Sequence, residues 1–464
     1  MPRFRIVLRA PLAFALLALT ACAAVPPDRG VADLQKLVAP RSGPSLGATD
    51  SDTTALINTL LKAPLSIDDA VHVAWLNNPR VRREYARLGI AAAAVYDAGR
   101  LANPRVTVAG LLSNASGAAN QVGFGVVQSF TDLLLLPARS RLATGEFERA
   151  KEQAGAVLLD LAADVDIAYG KLVGLQQRAA LRQVAATTAH TAAELAQRYL
   201  EAGNLSALDL AKQRAAAASA QADSLQADSE VAVARSALNE LLGLAPTSAD
   251  WRTVAELPAP VDDDADEASL LALAQTSRLD LAAQRREMAL LTAALNTARH
   301  FRYVGTVELG VETERQSDRS RLTGPTLSLE LPVFNQGAGK LTRAQAQLEE
   351  AQSVLAGLEL SIANTVHLQA QRAAAARNRA AQLRSQLIPA REELLKRTQQ
   401  EVNYMLEGPF HLLEVKQQTY AAYQAYIEVV RDYWLARAEL GRAVGTRLPV
   451  PPSPAATEHP GGAQ

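Results

Sequence analysis

The side chains that could carry chemistry are few. Cys22 is the only cysteine in 464 residues, which excludes an intrachain disulfide and a cysteine zinc cluster. A lone thiol leaves two readings, a covalent attachment point or an incidental small residue. The six histidines, His72, His190, His300, His367, His411 and His459, show no i, i+4 ligand spacing. Met288 and Met405 are far apart, so there is no Met-rich copper path, and a dedicated metal path is disfavoured. Gly337-Ala338-Gly339-Lys340 glances at a phosphate loop, but Leu341 follows the lysine and Phe334 stands where the first glycine is needed. It reads as a strand-to-helix turn. No nucleophile, base and orienting group can be assembled. The expectation is no enzyme, no cofactor and no metal site.

Those residues must be carried by elements of a particular composition. The chain is 48% hydrophobic but only 5% aromatic, and Ala and Leu dominate, which favours thinly packed helices. With 47 Lys and Arg against 48 Asp and Glu, no nucleic-acid partner is expected. Residues 1–21 open with Arg3, Arg5 and Arg9 and continue into an apolar run, reading as a signal peptide. Leu19-Thr20-Ala21-Cys22 resembles the bacterial lipobox, with Cys22 as the lipidation site. Ala23 after it resembles the outer-membrane sorting pattern. Residues 22–65 read as a lipid-anchored extended tether, and 449–464 as a disordered C-terminal tail. No segment after the signal has 18 consecutive apolar residues, so a membrane-spanning part would have to be a β-barrel.

The sequence is written twice. Tyr199-Leu200-Glu201-Ala202-Gly203 with Asp209 parallels Tyr404-Met405-Leu406-Glu407-Gly408 with Glu414. Arg82-Arg83-Glu84 parallels Arg285-Arg286-Glu287, and Phe130 and Arg139 parallel Phe334 and Arg343. The halves end alike, in Leu238…Gly243 and Leu440…Gly445. Shared order at a near-constant offset makes this a repeat. It spans 66–245 and 269–448, with a linker over 246–268.

Each half reads as helix, strand, strand, long helix, helix. The spacing predicts strands over about 104–112, 121–130, 304–314 and 325–333. Helical hairpins follow over about 138–243 and 339–445. Between Pro137 and Pro246 no proline occurs, so the first arm would run about 95 Å. Leu158, Leu161, Val165, Ala168, Leu172, Leu175 and Ala179 alternate 3 and 4 spacings, as in a coiled-coil seam or one face of a soluble bundle. Pro389 should break the second arm. The strands alternate: Val307, Leu309 and Val311 oppose Glu308, Gly310 and Glu312, with Glu330 also on the polar side. This suits a lipid-facing barrel with a wet lumen, or a soluble half-buried sheet. Four strands cannot close a wide barrel, so a membrane version needs several chains.

Together these features resemble the TolC-type outer-membrane efflux protein family, in its lipoprotein branch, over about 66–445. The resemblance rests on the duplication, the element order, Asn78-Pro79, Leu329-Glu330-Leu331-Pro332-Val333-Phe334 and the two Tyr…Gly…acid loops. It implies a mainly α fold with a small β part, a homotrimer forming an α-barrel tunnel and a 12-stranded outer-membrane β-barrel. It implies an exit duct of a tripartite efflux pump or type I secretion system, with a periplasmic adaptor and a proton-driven or ATP-driven inner-membrane transporter as partners. Glu414 matches a family gate position. Gln417 stands where a second acid is common, and Gly203, Asn204, Gly408 and Pro409 fall in the adaptor-docking tip turns. The competing reading is a lipid-anchored periplasmic coiled-coil scaffold without a pore.

Overall fold

The computed structural model describes residues 28–42, 53–112, 120–246, 251–261, 265–303, 305–316, 318 and 320–449. They divide into two compact units. The first is Met1–Leu34, Glu84–Ala154 and Asp280–Leu358; the second is Gln35–Arg83, Gly155–Leu279 and Glu359–Gln464.

The first unit holds the sheet. Strands β1 (Arg105–Leu111), β2 (Gln121–Ser129), β3 (Val307–Arg315) and β4 (Arg321–Leu329) pair antiparallel in the order β1-β2-β3-β4. The halves of the chain therefore meet at β2–β3, where Val126 faces Val311. One face carries Val106, Val108, Val122, Phe124, Val126, Leu309, Val311, Leu327 and Leu329, all fixed by register. The other carries Glu308, Glu312 and Glu314 among Gly123, Gly125, Gly310 and Gly324, with Leu111, Val127 and Leu322 as exceptions. Arg105 Nη2 bridges to Glu308 Oε1 at 3.0 Å on this polar face. The edges of β1 and β4 have no partner among the described residues.

The fourth strand departs from the expected 325–333. Pro325 reads in the sequence as a strand boundary, but β4 is an edge strand, where a missing N–H is tolerated inside the strand. Its register is set instead by β3, with Leu329 opposite Val307. Beyond it, Glu330 N still bonds Thr306 O at 2.9 Å, while Leu331 to Phe334 have left the ladder.

The long helix also starts early. Helix α5 runs from Phe130 to Glu201, 72 residues, rather than from Ala138. Ser129 Oγ caps it by accepting from Asp132 N at 3.2 Å. Pro137 lies inside the helix and forfeits one hydrogen bond.

The second unit is helical. Of the expected seam, Leu158, Leu161, Val165, Leu172, Leu175 and Ala179 are buried, and Ala168 is half-buried. Helix α6 (Ala207–Leu242) pairs with α5, tied by Arg182 to Asp223 at 3.0 Å and Ser224 Oγ donating to Gln183 Oε1 at 2.8 Å. In the second repeat α9 (Ala338–Gln382) leads through a π-turn, Leu383–Leu387, into α10 (Ile388–Asn403) and then α11 (Pro409–Val444). The break expected at Pro389 takes this form: the ring cannot donate to the preceding turn, and one extra residue is absorbed just before it.

The duplication is visible in how the helices close. Gly243 (φ +68) and Gly445 (φ +80) end α6 and α11 in left-handed backbone. Just past helix α3 (Ile67–Asn77), Asn78 Nδ2 donates to Leu241 O at 2.7 Å, and Asn77 Nδ2 to Gly243 O at 2.6 Å. Just past helix α7 (Glu267–Ser277), Arg278 Nη1 donates to Ala443 O at 2.8 Å. In both repeats one short helix thus ends by satisfying the carbonyls left open at the end of a long one.

The segment 22–65 is not simply an extended tether. Helices α1 (Val31–Ser42) and α2 (Thr53–Leu60) lie within it. Leu34 and Val38 are fully buried at i, i+4 spacing, and Ile57, Leu61 and Leu65 are buried too. Its turn-rich composition hides these few apolar anchors. The linker 246–268 is likewise pinned: Trp251 is buried, and Leu65 bridges Thr253. Tyr169 Oη donates to Leu65 O at 2.7 Å and accepts from Val254 N at 3.3 Å. Of the expected tail, Pro449 is held by Arg437 Nη2 at 2.8 Å, and 450–464 lie outside the described residues.

Candidate functional site

Two regions can act, the hairpin tips of the second unit and the sheet of the first. The first tip joins α5 to α6. Gly203 takes φ +76 with open space around it. Gly203 N and Asn204 N bond Leu200 O and Tyr199 O at 2.9 and 2.8 Å, closing the helix end. Ser206 Oγ then accepts from Asp209 N at 3.0 Å and donates to Asp209 Oδ2 at 2.7 Å. That hydrogen bond, with Lys212, holds the Asp209 carboxyl below the usual carboxylate range.

The second tip is built differently. Gly408, which the repeat aligns with Gly203, does not supply the reversal: it is extended (φ −83, ψ 153) and serves as the N-cap of α11, with Pro409 at its first turn. The left-handed residue is Met405, φ +61. Leu406 N bonds Glu401 O at 2.9 Å to close α10. A non-glycine residue here carries backbone strain. The turn lifts Tyr404, Met405 and Leu406 outward, with Met405 93% exposed. Tyr404, Met405 and Leu406 stand out in the sequence only as part of the repeat; an apolar trio inside a turn is the signal of their exposure.

The tips meet through Tyr199 and Phe410, edge to face at 5.8 Å between centroids. Glu414 and Gln417 are exposed in the early turns of α11, off the face that buries Val415, Thr419 and Ala422. Glu414 Oε1 has only a long contact, 3.5 Å, from Gln418. The repeat equates Asp209 with Glu414, but Asp209 completes the Ser206 cap of its helix, whereas the N-cap of α11 is Gly408, with no side-chain cap. Cys22 lies outside the described residues.

A second polar centre was not anticipated. Arg447 grips Asp166 with Nε and Nη2 at 2.9 and 3.0 Å, reaches Asp68 Oδ1 at 2.6 Å, and donates to Ser42 O at 3.0 Å. Nearby Arg442 pairs with Asp164, which also meets Arg80 at 3.3 Å. Residues so far apart in sequence leave no local signal. Among the described residues no group of His, Cys, Asp or Glu is placed to hold a metal, and no helix is long and apolar enough to cross a membrane. The latter says nothing of a β-barrel.

A four-stranded antiparallel sheet with one apolar and one acidic, glycine-lined face, joined to two long helical hairpins, defines the outer-membrane channel fold. Solved structures agree. The chain superposes on the outer-membrane channel OprN with a TM-score of 0.68 at 18% identity, over 88% of this chain and 95% of that one. It superposes on the CmeC channel of Campylobacter jejuni with a TM-score of 0.68 at 13% identity, over 82% and 85%. For VceC of Vibrio cholerae the TM-score is 0.65 at 18% identity, over 82% and 96%. The cobalt-zinc-cadmium resistance protein CzcC of Cupriavidus metallidurans is 24% identical over 311 residues, 64% of this chain and 72% of CzcC. Residues 70–244 match the family described as outer membrane efflux protein. That match covers the first repeat, and the fold is shared with the solved outer-membrane channels over 82–88% of the chain.

Proposed function

We propose that three copies of this chain form a passive duct that receives cargo from an inner-membrane transporter through a periplasmic adaptor. The observation that carries the reading is the sheet. Among the described residues its β1 and β4 edges are unpartnered, and one long face is largely apolar. Exposed strand edges need partners, and a wet lumen needs more than four strands. Twelve strands from three copies satisfy both. Heat-modifiable trimers in the outer-membrane fraction that conduct across a planar bilayer are the expected result; a salt-extractable monomer without conductance would falsify it.

The finer assignments extend this reading. Cys22 is acylated and anchors the mature chain in the outer membrane, which metabolic labelling with palmitate tests; loss of label in Cys22→Ser is expected. Gly203, Asn204, Gly408 and Pro409 receive the adaptor. Glu414 supplies an acidic ring at the narrow end, with Gln417 beside it as an uncharged neighbour, and such a ring attracts cations. Glu414→Ala should lower divalent block of the resting conductance, and unchanged block would remove Glu414 from the gate.

The name of CzcC makes divalent cobalt, zinc or cadmium the cargo to test first. The scarcity of His and Met, which weakly disfavours a dedicated metal path, is outweighed here because conduction needs only weak sites. Deletion should lower tolerance to these ions and leave drug tolerance unchanged; the reverse pattern assigns the duct to another cargo.

A further inference from the structure

Along the apolar face of the sheet, the β3–β4 pairs run Val307–Leu329, Leu309–Leu327, Val311–Pro325, Thr313–Thr323 and Arg315–Arg321. Alternate residues of a strand are stepped by about 7 Å. Aliphatic pairs thus give way to a hydroxyl pair, Thr313 Oγ1 and Thr323 Oγ1 at 3.1 Å, and then to two directly opposed guanidinium groups. Like charges facing one another across an antiparallel pair are destabilising. Both arginines are exposed, and among the described residues neither meets a carboxylate. Glu312 and Glu314 belong to the opposite face by register. Asp318, in the connecting turn, already accepts from Ser320 N at 2.8 Å and Ser320 Oγ at 2.6 Å.

We propose that Arg315 and Arg321 together bind the phosphate of an anionic lipid headgroup at the outer edge of the membrane. An anion between the guanidinium groups turns their repulsion into two charge-assisted contacts, and the planar fork of arginine fits phosphate oxygens. The rows beneath argue for a lipid rather than free phosphate. Passing from Leu309–Leu327 through Thr313–Thr323 to Arg315–Arg321, the face changes as a bilayer does, from hydrocarbon through interface to phosphate. Acyl chains can lie along the aliphatic pairs while the headgroup meets the arginines. The proposal rests on the duct reading, which puts this face in lipid and the β3–β4 turn outside.

The test uses the full-length assembly in neutral detergent, with binding of diphosphorylated lipid A, dephosphorylated lipid A and inorganic phosphate measured in parallel. Wild type should bind the diphosphorylated form at least about tenfold more tightly than R315Q/R321Q does, and R315K/R321K should fall between them. Dephosphorylated lipid A should not distinguish wild type from the glutamine variant. Equal binding of diphosphorylated lipid A by both proteins overturns the proposal. So does inorganic phosphate that binds as tightly as the lipid, which would make this a free-anion site. Planar-bilayer conductance reads the duct separately: a wild-type assembly that discriminates by phosphate but does not conduct sinks the duct and leaves the headgroup site standing.

Discussion

Arg447 holds Asp166 through two parallel contacts, Nε to Oδ2 at 2.9 Å and Nη2 to Oδ1 at 3.0 Å, with side chains only 17% and 12% exposed. Removing one partner of a buried pair strands the other charge, at about 3–5 kcal/mol. Arg447→Leu should lower the thermal midpoint of the purified protein by several degrees. A midpoint unchanged within error would show that the grip contributes nothing.

The same pair sets a pH dependence. Burial pushes the Asp166 carboxyl up to about 6, although the charge and hydrogen bonds of Arg447 pull it down. The folded protein then holds this proton more tightly than the unfolded chain, whose Asp titrates near ~3.9. The stabilisation from this group is complete below about pH 4, declines as pH rises and is gone above about 6. Thermal midpoints of wild type and Asp166→Asn between pH 4 and 7 test this. The asparagine variant should lose that part of the slope, and identical slopes would exclude Asp166 as its source.

Glycines of the two repeats should differ in their tolerance of alanine. At Gly243 an added Cβ would lie 2.8 Å from Asn77 O, and at Gly445 2.8 Å from Arg278 Cα, both at positive φ. Gly203 has positive φ but open space, and Gly408 has neither constraint. Alanine should cost about 2 kcal/mol or more at Gly243 and Gly445, about 1 at Gly203 and nearly nothing at Gly408. Denaturant midpoints in that order are expected; a Gly408 variant as unstable as Gly445→Ala would contradict the turn assignments.

The tip contact between Tyr199 and Phe410 should appear as coupling. A double-mutant cycle to alanine is expected to give about 0.5–1.5 kcal/mol. Strict additivity would mean that the rings merely neighbour each other.

Tyr169→Phe should cost about 1–3 kcal/mol, because Leu65 O and Val254 N lose the hydroxyl they share. Protease susceptibility of the 251–261 segment should rise with it. If cleavage is unchanged, the segment is held by Trp251 alone.

Periodicity made the regular elements legible. The seam from Leu158 to Ala179 and the alternation of Val307 to Glu312 are local patterns, and the structure buries or faces those side chains as their spacing requires. What escaped is non-local or conditional. Pro325 is tolerated because β4 is an edge, which only the sheet order reveals. The helices within 22–65 depend on a handful of buried residues such as Leu34 and Val38. The left-handed residue of the second tip is Met405 because hydrogen bonds at the end of α10 select it, whereas residue type favoured Gly408. Arg447 gathers acids from two helices far away in sequence.

The pairing of β2 with β3 has a kinetic consequence. Thr131 Oγ1 donates to Gly305 O beside this junction, across 174 residues of chain. The β1–β2 and β3–β4 hairpins can form from neighbouring segments, but the central ladder must wait for a very large loop to close. The central ladder therefore forms only after the whole first helical hairpin and the two helices that follow it have been made. Until then each β-hairpin presents two raw strand edges, the kind of surface that templates wrong pairings.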